Sequence, residues 1–304
     1  MEKVKKAIRS MRGRWDLLLL FSIPLAWYII FQYIPIYGIQ IAFRRFNPAE
    51  GILGSPWVGG LYFKQLFNSF FFWELVRNTV LLSVYQLLIG FPIPIILALI
   101  INEIRFKKFQ KFIQNVTYIP HFLSLVVVVS MLNIFSDPGN GLFNRIGALF
   151  GAMPVDYMAK AEYFRPIYIL SNVWQTMGFS SVIYIAALSA IDPTLYEAAI
   201  IDGASRLQKI IRISLPCILP TIVILFILRI GQVMSIGFEK AYLMQNPINM
   251  ETSEILSTFI YKNGIQRGQF SFSAAAGTFN NVINFIMLIA ANFISRKTVR
   301  TSLW

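Results

Sequence analysis

Residues 192–216 read DPTLYEAAIIDGASRLQKIIRISLP and join two long apolar runs. Asp192 followed by Pro193 is typical of a helix N-cap with proline at the first helical position. The sequence predicts a short helix over 193–201 and a sharp turn at Asp202-Gly203, where glycine adopts positive φ at little cost. A second short helix is predicted over 204–213, and Pro216 opens the next apolar run. The stretch is therefore predicted to be a helix–turn–helix elbow between two membrane spans.

The apolar runs on either side of the elbow belong to a set of six. Each is close to the 20 or so mostly apolar residues that a helix needs to cross a bilayer. They cover residues 15–41, 77–102, 116–136, 166–190, 216–237 and 273–295. Pro92 and Pro94 are expected to kink the second span, and Pro166 and Pro216 are expected in the first turns of the fourth and fifth. The predicted fold class is an all-α polytopic membrane protein of six transmembrane helices with a cytoplasmic two-helix coupling elbow.

Composition supports this fold class. The 304 residues are 56% hydrophobic and only 13% charged, against about 25% charged in an average soluble domain. This balance argues against a soluble domain and against disorder. The net charge of +13 is attributed to residues that flank membrane spans, so no nucleic-acid partner is predicted. The single cysteine, Cys217, excludes a disulfide framework within the chain, and the single histidine, His121, excludes a histidine-rich metal centre. His121 is expected to be packed or interfacial.

Lysine and arginine predict the orientation. With both termini in the cytoplasm, 16 of the 27 fall in inner segments. The predicted organisation is a basic cytoplasmic N-tail over 1–14, a six-span transmembrane domain over 15–295 and a cytoplasmic C-tail over 296–304. The first span is expected to be an uncleaved helix rather than a signal peptide. The basic residues assigned to the two tails are Lys3, Lys5, Lys6, Arg9, Arg12, Arg14, Arg296, Lys297 and Arg300.

Polar residues inside the spans are candidates for the substrate path, because polar groups are expensive in a membrane and usually face the bundle interior. Arg229 is predicted to lie in the middle of span five, with no acid of this chain at the same depth. Hydrogen bonding between helices of two subunits is at least as good an interpretation of each residue. The candidates are Asn172, Trp174, Gln175, Arg229, Gln232, Asn281 and Asn284.

The elbow resembles the EAA loop of binding-protein-dependent ABC importer permeases. The pattern of that family is E-A-A, three residues, G, nine residues and I-x-L-P, and every anchor is present at that spacing. Asp202-Gly203-Ala204 also matches the D-G-A that is usual in the family. The resemblance implies that the following residues couple this chain to an ATPase: Glu197, Ala198, Ala199, Asp202, Gly203, Ala204, Ile213, Leu215 and Pro216.

Other segments resemble the carbohydrate branch of the family. Residues 57–63 (WVGGLYF) resemble the F-V-G-x-x-N-F segment that precedes span two in carbohydrate permeases, with Trp57 and Tyr62 as departures. Residues 237–247, 270–277 and 301–304 resemble permeases for polysaccharides or complex sugars. The resemblance covers nearly the whole chain and implies import of an oligosaccharide.

The resemblance also implies the partners. These are a second permease subunit that is related but not identical, two ATP-binding subunits and an external substrate-binding protein, all at a bacterial inner membrane. ATP and Mg are expected on the partner ATPase, because the chain contains no G-x-x-x-x-G-K-[ST] motif. The chain itself is predicted to be a transport subunit rather than an enzyme, with no cofactor and no metal.

Two alternatives remain open. The same architecture could import another solute, such as a peptide or an amino acid. A stand-alone secondary transporter is much less favoured, because coupling ions usually need carboxylates inside the membrane. All 14 acidic residues fall in predicted loops or at span ends.

Overall fold

The computed structural model describes residues 15–298 and 302–303. The N-tail 1–14 and residues 299–301 and 304 lie outside the described residues, and with them half of the 301–304 segment and the tail residue Arg300. Within the described ranges the backbone forms helices and turns, with one isolated antiparallel bridge between Arg44 and Trp57. The all-α prediction is confirmed.

The helices are named here in chain order. They are α1 (Trp15–Phe43), α2 (Gly51–Gly54), α3 (Leu61–Phe67), α4 (Phe72–Asn102), α5 (Lys107–Phe122), α6 (Leu125–Ser136), α7 (Leu142–Leu149), α8 (Ala161–Ser189), α9 (Pro193–Ile201), α10 (Arg206–Ile230), α11 (Phe238–Met244), α12 (Met250–Ser253), α13 (Leu256–Tyr261, continued by a π turn over Lys262–Gln266) and α14 (Phe270–Thr298).

The described residues form two compact units. The first contains 15–68 and 263–278, and the second contains 69–262, 279–298 and 302–303. In the first unit, the guanidinium of Arg44 donates to the Ser55 carbonyl at 2.8 Å and lies over the Trp57 ring. The Phe46 N–H donates to Ser271 Oγ at 2.9 Å. These contacts hold α1, the loop after it and the start of α14 together.

Up to six helical passages are long and apolar enough to cross a membrane. α1, α4, α10 and α14 qualify singly, and the pairs α5–α6 and α8–α9 qualify when each bent pair is taken as one passage. Two of these helices extend beyond the predicted spans. α4 begins at Phe72 instead of 77, and α14 covers 270–298 instead of 273–295. The predictions counted only apolar residues, whereas a helix continues into its polar flanks.

The third predicted span, 116–136, is not one straight helix. The chain bends by 96° between α5 and α6. Pro120 lies in a 3-10 turn over Ile119–Phe122, and proline supplies no N–H for a continuing α-helix. Ser124 then adopts an extended conformation, and its Oγ accepts the N–H of Val127 to cap α6. A single straight helix over 116–136 is therefore wrong, because capping at Ser124 interrupts a mostly apolar run, although the bent pair still qualifies as one passage.

The predicted boundaries around the elbow also need correction. α8 begins at Ala161, so Pro166 lies inside the helix and not in its first turn. The predicted second elbow helix, 204–213, is the beginning of α10, which runs through a π turn over Ile210–Ser214 into the fifth span. Pro216 lies in the first turn of the α-helical part of that span, Leu215–Ile230, as predicted, although the helical backbone is already continuous from Arg206. α10 ends at Ile230 instead of 237, because a turn follows at once.

α8 is the central helix of the second unit. It packs against α4, α5, α10 and α12. One apolar cluster joins Leu82, Val128, Tyr168 and Ile255, and another joins Ala98 to Tyr184. At Gly178 the backbones of α8 and α5 approach so closely that an added Cβ would collide with the Thr117 carbonyl.

Gly178→Ala is therefore expected to lower the free energy of unfolding by about 1–3 kcal/mol, the usual effect of overpacking a close contact. Gly277→Ala is the matched control, because a Cβ on this helical glycine meets nothing within 4 Å. The control is expected to be neutral or slightly stabilising. The measurement is the thermal unfolding of the purified chain in detergent, and equal melting temperatures for the two variants would contradict the close approach.

Candidate functional site

A cavity of about 820 Å³ lies inside the second unit. Its walls are α4 over 83–94, α8 over 168–184, the end of α10 and the turn 231–237. The volume is within the range of about 300–1,000 Å³ that is typical of ligand pockets. The cavity is the best-formed candidate for a binding site in the described part of the chain.

One wall is a stripe of polar and aromatic side chains along α8. Tyr168, Asn172, Thr176, Ser180 and Tyr184 line the cavity at intervals of four residues, and such residues share a helix face. At 1.5 Å per residue the stripe spans about 24 Å. The cavity is therefore elongated along α8 and offers alternating hydroxyl, amide and ring surfaces.

The facing wall on α4 is irregular. Its helical ladder contains a π turn over Gln86–Gly90, directly before Pro92, where the sequence predicted a distortion. The Gln86 side chain lies over Gly90, so that a Cβ at Gly90 would collide with it. The Gln86 Oε1 is buried and has no hydrogen-bond partner among the described residues. Gln86 thus lines the cavity while its amide oxygen is buried without a hydrogen bond.

Arg229 provides positive charge at the cavity. It lies in the last turn of α10, not in the middle of the span as predicted, because α10 ends at Ile230. Among the described residues that line the cavity, Arg229 is the one with a charged side chain. No carboxylate of the described chain lies within 4.0 Å of its guanidinium. Gln232 lines the same end from the following turn. This arrangement favours a ligand with negative charge.

The structure brings together three of the seven predicted path residues, namely Asn172, Arg229 and Gln232. The other four do not line the cavity. Gln175 is buried and donates to the Leu123 carbonyl at 3.0 Å, and Asn284 accepts the Met234 N–H at 2.8 Å. Both bonds are to backbone groups of this chain, one between α5 and α6 and one in the turn after α10. Hydrogen bonding between subunits, the alternative left open by the sequence, stays a prediction. The remaining two, Trp174 and Asn281, are exposed.

The elbow has the predicted local geometry. Asp192 caps α9 by accepting the Thr194 N–H at 2.9 Å, and this bond holds the pKa of the carboxyl below its usual value. α9 covers 193–201 as predicted, and Gly203 has φ +75°, as its turn requires. Ser205 and Gln208 then form a capping box at the start of α10.

The elbow surface is exposed and partly apolar. Ile201 is 86% exposed, and Ile200 and Leu207 are exposed by more than half. The Tyr196 hydroxyl lies 3.0 Å from Ser214 Oγ and links α9 to α10. Among the predicted coupling residues, those exposed are Glu197, Ala198, Asp202, Gly203 and Pro216, and those half-buried are Ala199, Ala204, Ile213 and Leu215. Clustered exposed apolar side chains of this kind mark an interaction surface.

Residues 74–300, which contain both the cavity and the elbow, match the family described as "Binding-protein-dependent transport system inner membrane component". The chain belongs to this family. The resemblance inferred from the elbow motif is confirmed, and the chain is a membrane transport permease.

Curated relatives are similar over almost their whole length. The polygalacturonan/rhamnogalacturonan transport system permease protein YteP of Bacillus subtilis (strain 168) is 42% identical over 97% of this chain and 92% of the relative. Protein LplB of the same organism is 39% identical over 94% of this chain and 90% of the relative. An arabinooligosaccharides permease, AraP of the same organism, is 28% identical over 91% of this chain and 87% of its own.

Solved structures share the fold. A chain of a bacterial ABC transporter involved in the import of the acidic polysaccharide alginate superposes with a TM-score of 0.89 and 39% identity, covering 96% of this chain and 99% of that one. A second structure, with the same TM-score and identity, is the bacterial alginate ABC transporter in complex with an alginate pentasaccharide-bound periplasmic protein.

Several cavity residues of the permease were not among the predicted path residues. Ser83, Gln86, Thr176 and Ser180 line it, and the spacing of four residues from Asn172 along α8 would have pointed to Thr176 and Ser180. Serine and threonine are weak signals of a substrate path, because their hydroxyls commonly bond to backbone carbonyls of their own helix. Thr176 does so, donating to the Asn172 carbonyl at 2.8 Å.

His121 packs against a residue of the cavity wall. Its ring stacks on Phe179 at a centroid distance of 4.0 Å and an interplanar angle of 2°, and Phe179 lines the cavity. Of the two expectations for His121, a packed or an interfacial histidine, this stacking agrees with the packed one. The stacked pair keeps an aromatic face at the cavity surface.

Proposed function

We propose that this permease forms half of the pathway of an ATP-driven importer for oligosaccharides that carry carboxylates, such as uronic acid oligomers. The observation that carries the proposal is the unpaired Arg229 in a cavity lined otherwise by neutral polar and aromatic side chains. An arginine binds a carboxylate through two parallel hydrogen bonds. The printed substrates of similar permeases, polygalacturonan and alginate, support the same class.

The neutral walls suit the rest of a sugar chain. Asn172, Gln86 and Gln232 can donate and accept hydrogen bonds with sugar hydroxyls. The rings of Tyr168 and Phe179 offer apolar faces to the C–H surfaces of the sugar. The elongated shape of the cavity along α8 matches a linear chain better than a compact solute. A peptide or amino acid is therefore less favoured as the cargo.

The elbow is proposed to dock into a groove on a separate ATPase, which carries ATP and Mg. The exposed Ile200, Ile201 and Leu207 would be buried in that groove. Glu197 lies on the same exposed surface. Closure of the ATPases would then move α9 and tilt α8 and α10, because the Tyr196–Ser214 contact joins the two elbow helices.

The assembly proposed around this chain contains a second, related but non-identical permease subunit, two ATP-binding subunits and an external substrate-binding protein. The membrane is the bacterial inner membrane, with both termini and the elbow on the cytoplasmic side. The lysine and arginine distribution supports this orientation.

A deletion and complementation experiment tests the proposal. Cells that lack this chain are expected to lose uptake of labelled oligogalacturonides and to regain it when the chain is restored. Uptake of labelled neutral oligosaccharides and of peptides is measured beside it in the same strains. Loss of peptide uptake with unchanged oligogalacturonide uptake would overturn the proposed substrate class.

A further inference from the structure

Lys240 on α11 is buried without a hydrogen-bonding or ionic partner among the described residues. Its side chain is 2% exposed. Its Nζ makes no hydrogen bond to any described residue, and no carboxylate in the described chain lies within 4.0 Å of it. A buried amine of this kind is unfavourable unless a charged or polar group reaches it. The position therefore calls for an explanation beyond packing.

The amine lies one aromatic ring away from the cavity. Its Nζ is 5.5 Å from the centroid of the Tyr168 ring, and Tyr168 lines the cavity. The Tyr168 hydroxyl donates to the Gly237 carbonyl at 3.3 Å, and Gly237 lines the same end of the cavity. A Cβ at Gly237 would collide with that hydroxyl, so the glycine leaves room for the ring. The Tyr168 ring, which also packs in the apolar cluster with Leu82 and Val128, is thus the partition between Lys240 and the cavity.

The elements around α11 do not neutralise the amine. α6 contains no titratable side chain, Glu251 on α12 and Glu239 on α11 are exposed, and α13 contributes Tyr261. On α8, which also packs against α11, Glu162 is exposed, Arg165 donates to Asn78, and Tyr168 contributes its ring. α11 lies outside the candidate spans. Burial lowers the pKa of Lys240 to about 7, so that an approaching carboxylate would favour the charged ammonium.

We propose that Lys240 is a second carboxylate-binding group of the substrate path, reached when the Tyr168 ring turns away from the Gly237 end of the cavity. The inference rests on the proposed import of acidic oligosaccharides. Together with Arg229 it gives the path two separated cations. A linear acidic sugar, which repeats its carboxylate along the chain, can engage both, whereas a neutral sugar engages neither.

The test uses the complete importer with its binding protein in proteoliposomes. Uptake of an oligogalacturonide is compared with uptake of its methyl ester, which has the same length and no charge. Lys240→Met is expected to lower uptake of the acid at least about tenfold, because a charge-assisted hydrogen bond is lost, and to leave uptake of the ester unchanged. Lys240→Arg is expected to retain most of the acid uptake.

A matched control sharpens the comparison. Lys160→Met removes a lysine whose side chain is 53% exposed and is expected to change neither uptake.

Two results would overturn the inference. Wild-type acid uptake by Lys240→Met would make Lys240 a packing residue, and equal loss of acid and ester uptake would make its role structural. Both results leave the proposed function intact, provided that the wild type takes up the acid. Failure of the wild-type importer to prefer the acid over the ester would instead refute the proposed substrate class.

Discussion

Gly203→Val is expected to abolish ATP-driven uptake while the permease still folds and reaches the membrane. Gly203 has φ +75°, a conformation that a β-branched residue adopts only with strain. Strain of about 1–3 kcal/mol disfavours the native turn by a factor of roughly 5 to 150. Because this turn sets the position of α9 relative to the start of α10, the elbow would no longer fit its ATPase. The measurement is uptake per ATP hydrolysed in proteoliposomes.

Two controls separate elbow geometry from general strain. Gly203→Asn is expected to retain much of the uptake, because asparagine tolerates the left-handed conformation. Gly151→Val carries the same kind of strain, since Gly151 has φ +78° and open space around its Cβ, but it lies outside the elbow. This variant is expected to transport normally. Wild-type coupling in Gly203→Val would contradict the assigned role of the turn.

Arg229→Met is expected to lower uptake of acidic oligosaccharides by about 10- to 150-fold, which corresponds to the loss of a charge-assisted interaction of about 1.5–3 kcal/mol. Uptake of the methyl ester is expected to stay within about twofold of the wild-type value, since a neutral sugar does not pair with the guanidinium. Arg229→Lys should be intermediate, because an ammonium lacks the planar two-pronged donor geometry. The measurement is the initial rate of uptake at several concentrations of each sugar.

The matched control is Arg145→Met. Arg145 is an exposed arginine on α7 that does not line the cavity, and its loss is expected to change uptake of neither sugar. If Arg229→Met lost acid and ester uptake to the same extent, Arg229 would support the structure and not recognise the charge of the cargo.

The sequence predicted the elbow well because its structure depends on local chemistry. Asp192-Pro193 encodes a cap and a helix start within a few residues, and Gly203 encodes a turn that other residues disfavour. The capping box formed by Ser205 and Gln208 has an equally local sequence signal. This signal marks the beginning of the helical backbone of α10, which lies before Pro216.

The helix bend, the lining of the cavity and the burial of Lys240 depend on contacts that a single sequence does not show. The bend between α5 and α6 lies in a mostly apolar run. Hydropathy does not predict the bend, because it does not register that Ser124 caps α6. Asn172 and Gln175 are three residues apart on α8, yet one lines the cavity and the other bonds to Leu123. Which of two polar neighbours faces the path depends on helix rotation, and rotation depends on packing against other helices. Lys240 lies between the fifth and sixth predicted spans, and its burial arises from the fold of that segment.

The central claim is that this permease belongs to an importer for acidic oligosaccharides. The most direct test is ATP-dependent uptake by the wild-type importer, reconstituted with its second permease, ATPases and binding protein in ATP-loaded proteoliposomes. We expect an oligogalacturonide to accumulate at least about tenfold faster than its methyl ester, because pairing with Arg229 is lost in the ester. Equal rates for acid and ester, or accumulation without ATP, would contradict the account.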